Sequence, residues 1–208
     1  MSDVWKSYWP IFERLEDELC ELTFAVAFAD SHLSVYSARL SDILLRSCAE
    51  CENVAKSLCN DKQLVAGGVD VQEFNFSAVG NAICARIPIY TKGLTVIWPY
   101  QSLTTTTVRP FDTWQSNASK NPDWFNAYNG VKHDRIGNAQ KANVKNVIHA
   151  IGGLFILNLW LREEDIVMHS EHFNLAKKRI TSYSHFFSPE MFLKSTDGNM
   201  RNLVFDWM

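Results

Sequence analysis

Hydrophobic residues recur every three or four positions along the first sixty residues, in two separate runs. The first run predicts a long amphipathic helix within residues 1–30, with Pro10 near its start. Its polar side carries five acidic residues that we expect to face solvent: Glu13, Glu16, Asp17, Glu18 and Glu21. The second run, from Leu40 to Leu58, alternates steps of four and three. This spacing is typical of a helix-bundle seam and predicts a helix that ends near residues 60–61.

The helical period continues to about residue 86 and is then lost. A shorter third helix is predicted over residues 74–86. Residues 89–98 have the pattern of a short hairpin, and residues 104–108, four threonines and a valine, indicate a third strand. Because prolines punctuate this region, we predict a small β insertion at residues 87–112 in a helical domain.

Three further helices and a tail complete the predicted fold. Asn121-Pro122-Asp123 opens a helix, and the run from Val144 to Leu161 is apolar on nearly every side, which predicts a helix at the centre of a bundle rather than a membrane span. Another helix is expected over residues 163–183, followed by an irregular, aromatic-rich tail at residues 185–208. The fold class is therefore mainly α: one helical-bundle domain over residues 1–208 with a small inserted β-hairpin or sheet.

Composition excludes several classes of protein. The 208 residues are 47% hydrophobic and 21% charged, which does not fit a disordered chain, a collagen-like repeat or a small disulfide scaffold. Five cysteines cannot all pair within one chain, and the N-terminus has no pattern of a secretion signal. We therefore expect reduced thiols in a cytoplasmic protein. Cys48 and Cys51 form a C-x-x-C pair without a second pair to complete a zinc site, so we expect them in the core.

Charge is distributed unevenly along the chain. Residues 1–60 hold 10 acids and 5 bases, a net charge of -5, whereas residues 61–208 hold 13 acids and 15 bases, a net charge of +2. The most basic short stretch, Lys132 to Lys145, has four cations and one acid. A local charge of +3 attracts phosphate but falls short of a nucleic-acid-binding stripe.

Several catalytic motifs are absent from the sequence. It has no phosphate-binding loop, dinucleotide-binding glycine motif, nucleophile elbow or His-Glu-x-x-His motif. No glutamate precedes a histidine by three residues, which excludes a ferritin-like di-iron bundle. Asp165, His169 and His172 share one predicted helix face, as a partial metal site or as an ordinary solvated face.

Two groups of polar residues are candidates for a site. Arg46, Glu50 and Asn53 share a face of the second helix, either as surface pairs or as the acidic wall of a cleft. In the segment Trp124 to Arg135, His133 can exchange a proton near neutral pH, while cations beside it can hold a phosphate. The structural alternative is a polar corner between helices with Asn129 and Asp134 as caps.

The order of these elements resembles the HEPN superfamily of all-helical domains. The resemblance rests on the second helix with Glu50-Cys-Glu-Asn53-Val-Ala-Lys56 and on Tyr128-Asn129-Gly-Val-Lys132-His133-Asp134-Arg135 leading into an apolar helix. It covers roughly residues 35–165, with the hairpin region as an insertion. Many members are homodimeric, metal-independent ribonucleases of toxin–antitoxin and phage-defence systems.

The resemblance implies that the protein cleaves RNA and needs no cofactor. It also implies that the protein does not associate with a membrane and that some systems include a cognate protein partner. His133 is then the acid or base, Lys132 and Arg135 bind phosphate, and Asn129 orients the substrate. The substrate-binding candidates are Tyr128, Lys141, Glu50 and Asn53, and Trp124 is a further ring for base stacking.

Two alternatives remain open. The superfamily signature, an arginine followed after four to six residues by a histidine, fits Arg162 with His169 and Arg179 with His185, whereas Lys132-His133-x-Arg135 resembles a variant of it. The competing function is a non-catalytic helical module that binds a protein or nucleotide partner through the same segment.

Overall fold

A computed structural model describes residues 4–65, 70–98, 101–162 and 184–187, and the backbone of residues 188–189, 193–195 and 203–205. Its described helices are α1 (Trp5–Leu22), α2 (Ala38–Asp61), α3 (Phe76–Cys84), α4 (Thr113–Ser116), α5 (Asp123–His133) and α6 (Val144–Leu161). The protein is mainly α-helical with little β structure, as the sequence predicts. The helix predicted over residues 163–183 lies outside the described residues.

Helix α6 is the centre of the domain. It packs most extensively against α2 and also against α1 and α5. Its length and composition would suit a membrane span, but 83% of it is buried inside the fold, as expected for a core helix. Gly152 and Gly153 let neighbours approach closely, since a Cβ at Gly153 would lie 3.2 Å from the Trp124 ring.

Short strands surround one side of the bundle. Strand β1 (Phe28–Ala29) pairs in parallel with β3 (Gln101–Ser102). A three-stranded antiparallel sheet has β2 (Leu94–Val96) at its centre, between β4 (Thr107–Val108) and β5 (Phe187–Pro189). Strands β6 (Leu193–Ser195) and β7 (Leu203–Phe205) form an antiparallel pair. The predicted hairpin within residues 89–98 is wrong: Ile89–Thr91 is a 3-10 turn. Strand β2 instead pairs with β4 and with β5 from the distant tail.

The tail after residue 183 is tied to α1 by Glu16. The prediction that Glu16 faces solvent is wrong, because this side chain is 1% exposed. Its carboxylate accepts hydrogen bonds from the Ser184 hydroxyl, from His185 N at 3.0 Å and from Phe186 N at 3.3 Å. Burial raises the pKa of Glu16, and these hydrogen bonds offset part of that effect.

Aromatic packing holds the same tail in the core. Phe186 and Phe187 are fully buried, with the Phe186 ring 5.8 Å from that of Phe28 and the Phe187 ring 6.2 Å from that of Phe155. The tail expected to be irregular therefore supplies a strand and two core residues at positions 184–189. Since hydrophobic burial is the main stabilising term of a fold, this segment is an integral part of the domain.

All five cysteines are unpaired, and four of them are buried. Burial raises the pKa of the Cys20 thiol to about 12 and that of Cys59 to about 11, so both remain protonated at neutral pH. Cys48 and Cys51 are fully buried on α2, which confirms the core interpretation of the C-x-x-C pair.

Candidate functional site

The connection between α5 and α6 forms a corner whose shape is fixed by short polar side chains. We call residues 129–145 the basic corner. The Asp134 carboxylate accepts a hydrogen bond from Gly137 N at 2.9 Å, and the Asn138 amide donates to Asp134 O at 3.0 Å. Asn143 caps α6 by accepting from Asn146 N at 3.0 Å. These residue types favour such local turns, so Asp134 acts as the predicted cap.

Two glycines make room within the basic corner. A Cβ at Gly137 would lie 2.2 Å from a carboxylate oxygen of Asp134, so a larger residue would open the turn that the carboxylate closes. A Cβ at Gly130 would lie 3.2 Å from the Lys141 amine. The absence of a side chain at Gly130 therefore lets Lys141 lie against the last turns of α5.

The four cations of the basic corner form no ion pair with the acidic residues that the structure describes. Arg135 donates from Nε to the Ser41 hydroxyl at 3.2 Å, and the Lys132 amine lies 5.3 Å from the centre of the Tyr128 ring. Among the described residues, neither these two nor Lys141 and Lys145 contact a carboxylate. The terminal nitrogens of Arg135 remain available for a bidentate contact with phosphate.

His133 stands exposed at the end of α5, between Lys132 and Arg135. Its ring has no hydrogen-bond partner in the part of the chain that the structure describes, and neither has the partly exposed amide of Asn129 one turn earlier. Imidazole exchanges protons readily near neutral pH. His133 is thus a proton-transfer group without a hydrogen-bond partner among the described residues, next in sequence to Lys132 and two positions from Arg135.

The basic corner lies against the start of α2. Tyr36 and Asn143 form an antiparallel bridge, flanked by a hydrogen bond of 3.0 Å from Val144 N to Val35 O. Helices α2 and α6 consequently begin side by side, capped by Ser37 and Asn143. The positive ends of two helix dipoles add to the charge of the corner.

The rings expected to stack on RNA bases are not accessible. Trp124 is buried and donates from its indole N–H to Pro110 O at 2.7 Å, so it belongs to the core. Tyr128 is also buried, with its ring 5.1 Å from that of Phe125. The Tyr128 ring instead packs against the Lys132 amine. The exposed apolar residues of this region are instead Tyr36 and Ile136, which sequence reasoning did not select.

Glu50 and Asn53 lie away from the basic corner. Helix α2 turns by about 100° per residue, so Glu50 lies on the opposite side of the helix from Ser41, the partner of Arg135. Glu50 lines a groove of about 350 Å³ between α1 and α2, together with Arg14 and Arg46, and Asn53 is exposed. The structure therefore does not bring these two substrate-binding candidates to His133.

The alternative sites lie largely outside the described residues. The described residues include neither Arg179 and His169 of the two arginine–histidine pairs nor any member of the candidate metal face, Asp165, His169 and His172. The Arg162 guanidinium is buried 3.9 Å from the centre of the Trp5 ring and 4.9 Å from that of Trp9. His185 is exposed, and its backbone N–H bonds to Glu16. No group of three metal-ligating side chains occurs among the residues that the structure describes.

A polar cavity of about 590 Å³ is lined by residues that include Asp112 and Asp123, whose charges also act on His149 of α6. Burial lowers the pKa of His149 to about 4, and the positive charge of Lys145 acts in the same direction, while the two aspartates oppose them. His149 is therefore neutral at physiological pH.

Comparisons of the chain with family models, with curated proteins and with solved structures find no match. The functional argument consequently rests on the chemistry of the basic corner.

Proposed function

We propose that the protein is a metal-independent endoribonuclease of the HEPN type, which cleaves single-stranded RNA at the basic corner. One observation carries the proposal: the exposed His133 lies between Lys132 and Arg135 in sequence, in a corner whose four cations have no carboxylate partner among the described residues. Unpaired cations attract the phosphate backbone, and an unpaired imidazole supplies acid–base chemistry beside it.

The reaction is a transesterification at phosphorus. The ribose 2′-oxygen attacks the adjacent phosphorus, the bond from phosphorus to the 5′-oxygen breaks, and a 2′,3′-cyclic phosphate and a 5′-hydroxyl are formed. Neutral His133 accepts the proton of the 2′-hydroxyl, and the leaving 5′-oxygen takes a proton from water or from the His133 of a second copy. Arg135 and Lys132 stabilise the charge that grows on the phosphate oxygens.

The test is cleavage of end-labelled single-stranded RNA in excess EDTA. Because a positioned acid or base contributes about 10²- to 10⁴-fold, His133→Ala should lower the rate at least about a hundredfold. His185→Ala is the matched control, since His185 is also exposed and belongs to the alternative Arg179–His185 pair. Full activity of His133→Ala, or loss of activity only in His185→Ala, would contradict the proposal.

A second function is favoured by Ile136, which is 92% exposed at the tip of the basic corner. Isolated exposed apolar residues are common, but one within a segment rich in cations suits the anchor of a protein interface. A non-catalytic module would bind a partner protein through Ile136, and Ile136→Ser would weaken that complex. In that case RNA would remain uncut by both the wild-type protein and His133→Ala.

A further inference from the structure

We propose that Tyr36 is a stacking platform for one unpaired base of an RNA strand whose phosphates contact the basic corner. The inference rests on the proposed function, because it assigns a base-binding position to the same site. It replaces the buried rings of Trp124 and Tyr128 with a residue about ninety positions away in sequence.

The Tyr36 ring is free to receive a ligand. It is 54% exposed, and its side chain has no hydrogen bond or ring contact in the part of the chain that the structure describes. Among the phenylalanine, tyrosine and tryptophan residues that the structure describes, the only other strongly exposed ring is that of Phe24, at 74%. Phe24 follows α1 beside Glu21, whose carboxylate already pairs with Arg39, so that cation is not available to phosphate.

The bridge to Asn143 puts Tyr36 beside the cations. Directly opposed residues of an antiparallel pair project from the same side, so the Tyr36 and Asn143 side chains are neighbours. Lys141 and Lys145 each lie two positions from Asn143, and Lys145 N donates to Leu33 O at 3.0 Å. The exposed ring is therefore joined by backbone pairing to a segment whose two lysines have no carboxylate partner among the described residues.

This combination matches the chemistry of single-stranded nucleic-acid binding. Cations follow the phosphate backbone, and an aromatic side chain stacks on a base regardless of its identity, because every base has a π face. A base within a duplex is already stacked and paired, so its face is not offered to Tyr36. The ring would consequently select single strands without selecting a sequence.

The experiment measures binding of two labelled 2′-O-methyl strands of equal length by fluorescence anisotropy. One strand carries bases and the other is abasic, so both have the same phosphate charge, and the blocked 2′-oxygen prevents cleavage. Tyr36→Ala should weaken binding of the base-bearing strand about tenfold and leave that of the abasic strand unchanged. Tyr36→Phe should restore binding, and Phe24→Ala should change neither affinity.

The outcomes separate the two proposals. If the wild-type protein binds both strands equally and Lys141→Ala weakens both, the stacking inference is overturned and phosphate binding by the basic corner stands. If the wild-type protein binds neither strand, the proposed function fails and the inference fails with it. The wild-type comparison needs no variant, so equal binding of the two strands overturns the inference even if Tyr36→Ala does not fold.

Discussion

The face shared by α1 and α2 and the basic corner both carry cations, but they use them differently. On the α1–α2 face, Arg46 bonds to Glu18 at 2.5 Å and to Asp42 at 2.8 Å, and Arg39 bonds to Glu21 at 2.5 Å. In the basic corner, by contrast, the four cations have no carboxylate partner among the described residues. The paired charges connect two helices, whereas the unpaired charges remain available to a ligand.

The comparison teaches that the pairing of a charge is more informative than its presence. The α1–α2 face forms its ion pairs at helical spacing and between neighbouring helices, and such partly exposed pairs contribute modestly to stability. The basic corner takes its shape from Asp134, Asn138 and Asn143. Its cations, apart from the bond of Arg135 to Ser41, are not needed to form the turn.

The largest expected effect tests whether the buried carboxylate of Glu16 holds the tail on α1. Glu16→Ala should lower the free energy of unfolding by about 3–4 kcal/mol, because it leaves the donors of Ser184, His185 and Phe186 without their acceptor. Urea unfolding measures the loss. Asp17→Ala, at an exposed neighbouring position, should change stability by less than about 0.5 kcal/mol. Wild-type stability of Glu16→Ala would show that the tail is held by its aromatic rings alone.

The next prediction concerns how the free energy of unfolding depends on pH through His149, with His133 as the comparison. The folded-state pKa of His149 is about 4, below the usual 6.5, so the unfolded chain binds a proton more readily over this range. Its contribution to stability is present above pH 6.5 and is lost as pH falls toward 4, by about 3 kcal/mol. Urea unfolding across this window should show the loss in the wild-type protein and in His133→Gln, and a reduced slope in His149→Gln. An unchanged slope in His149→Gln would assign the loss to other groups.

The third prediction removes two cations of the basic corner and tests whether they contact phosphate. Arg135→Ala combined with Lys141→Ala should weaken RNA binding about ten- to a hundredfold in low salt. It should also reduce the slope of log affinity against log salt by about 1.4, since each contact with a single strand contributes about 0.7. Anisotropy titrations at several KCl concentrations measure both quantities. An unchanged salt slope would exclude these two cations from the phosphate contacts.

The smallest effect is expected on the α1–α2 face. Arg46→Ala should cost about 1 kcal/mol of unfolding free energy, because it removes the bonds to Glu18 and Asp42 while Arg14 still pairs with Glu18. Its RNA affinity should equal that of the wild-type protein. Weaker RNA binding by Arg46→Ala would mean that the groove beside Glu50 takes part in the site, and the contrast between the two regions would no longer hold.

Much of the helical fold was predictable because helices are local. The bounds of α2, α5 and α6 follow from apolar spacing and from residues such as Asp123. Asp42 pairs with Arg46, and Glu52 with Lys56, at the spacing of four residues that brings side chains together on a helix. The candidate site was found in the same way, since His133 and its cations are neighbours in sequence.

Sequence by itself therefore determined helices α1, α2, α3, α5 and α6, the core position of α6 and the composition of the basic corner, all of which depend on residues a few positions apart. Tertiary structure alone decided that Glu16 is buried, that Phe187–Pro189 joins Leu94–Val96 in a sheet, and that Tyr36 lies beside Asn143. Each of these contacts joins residues from about ninety to 170 positions apart. No periodic pattern records such a contact, because it depends on how whole helices pack around the shared core.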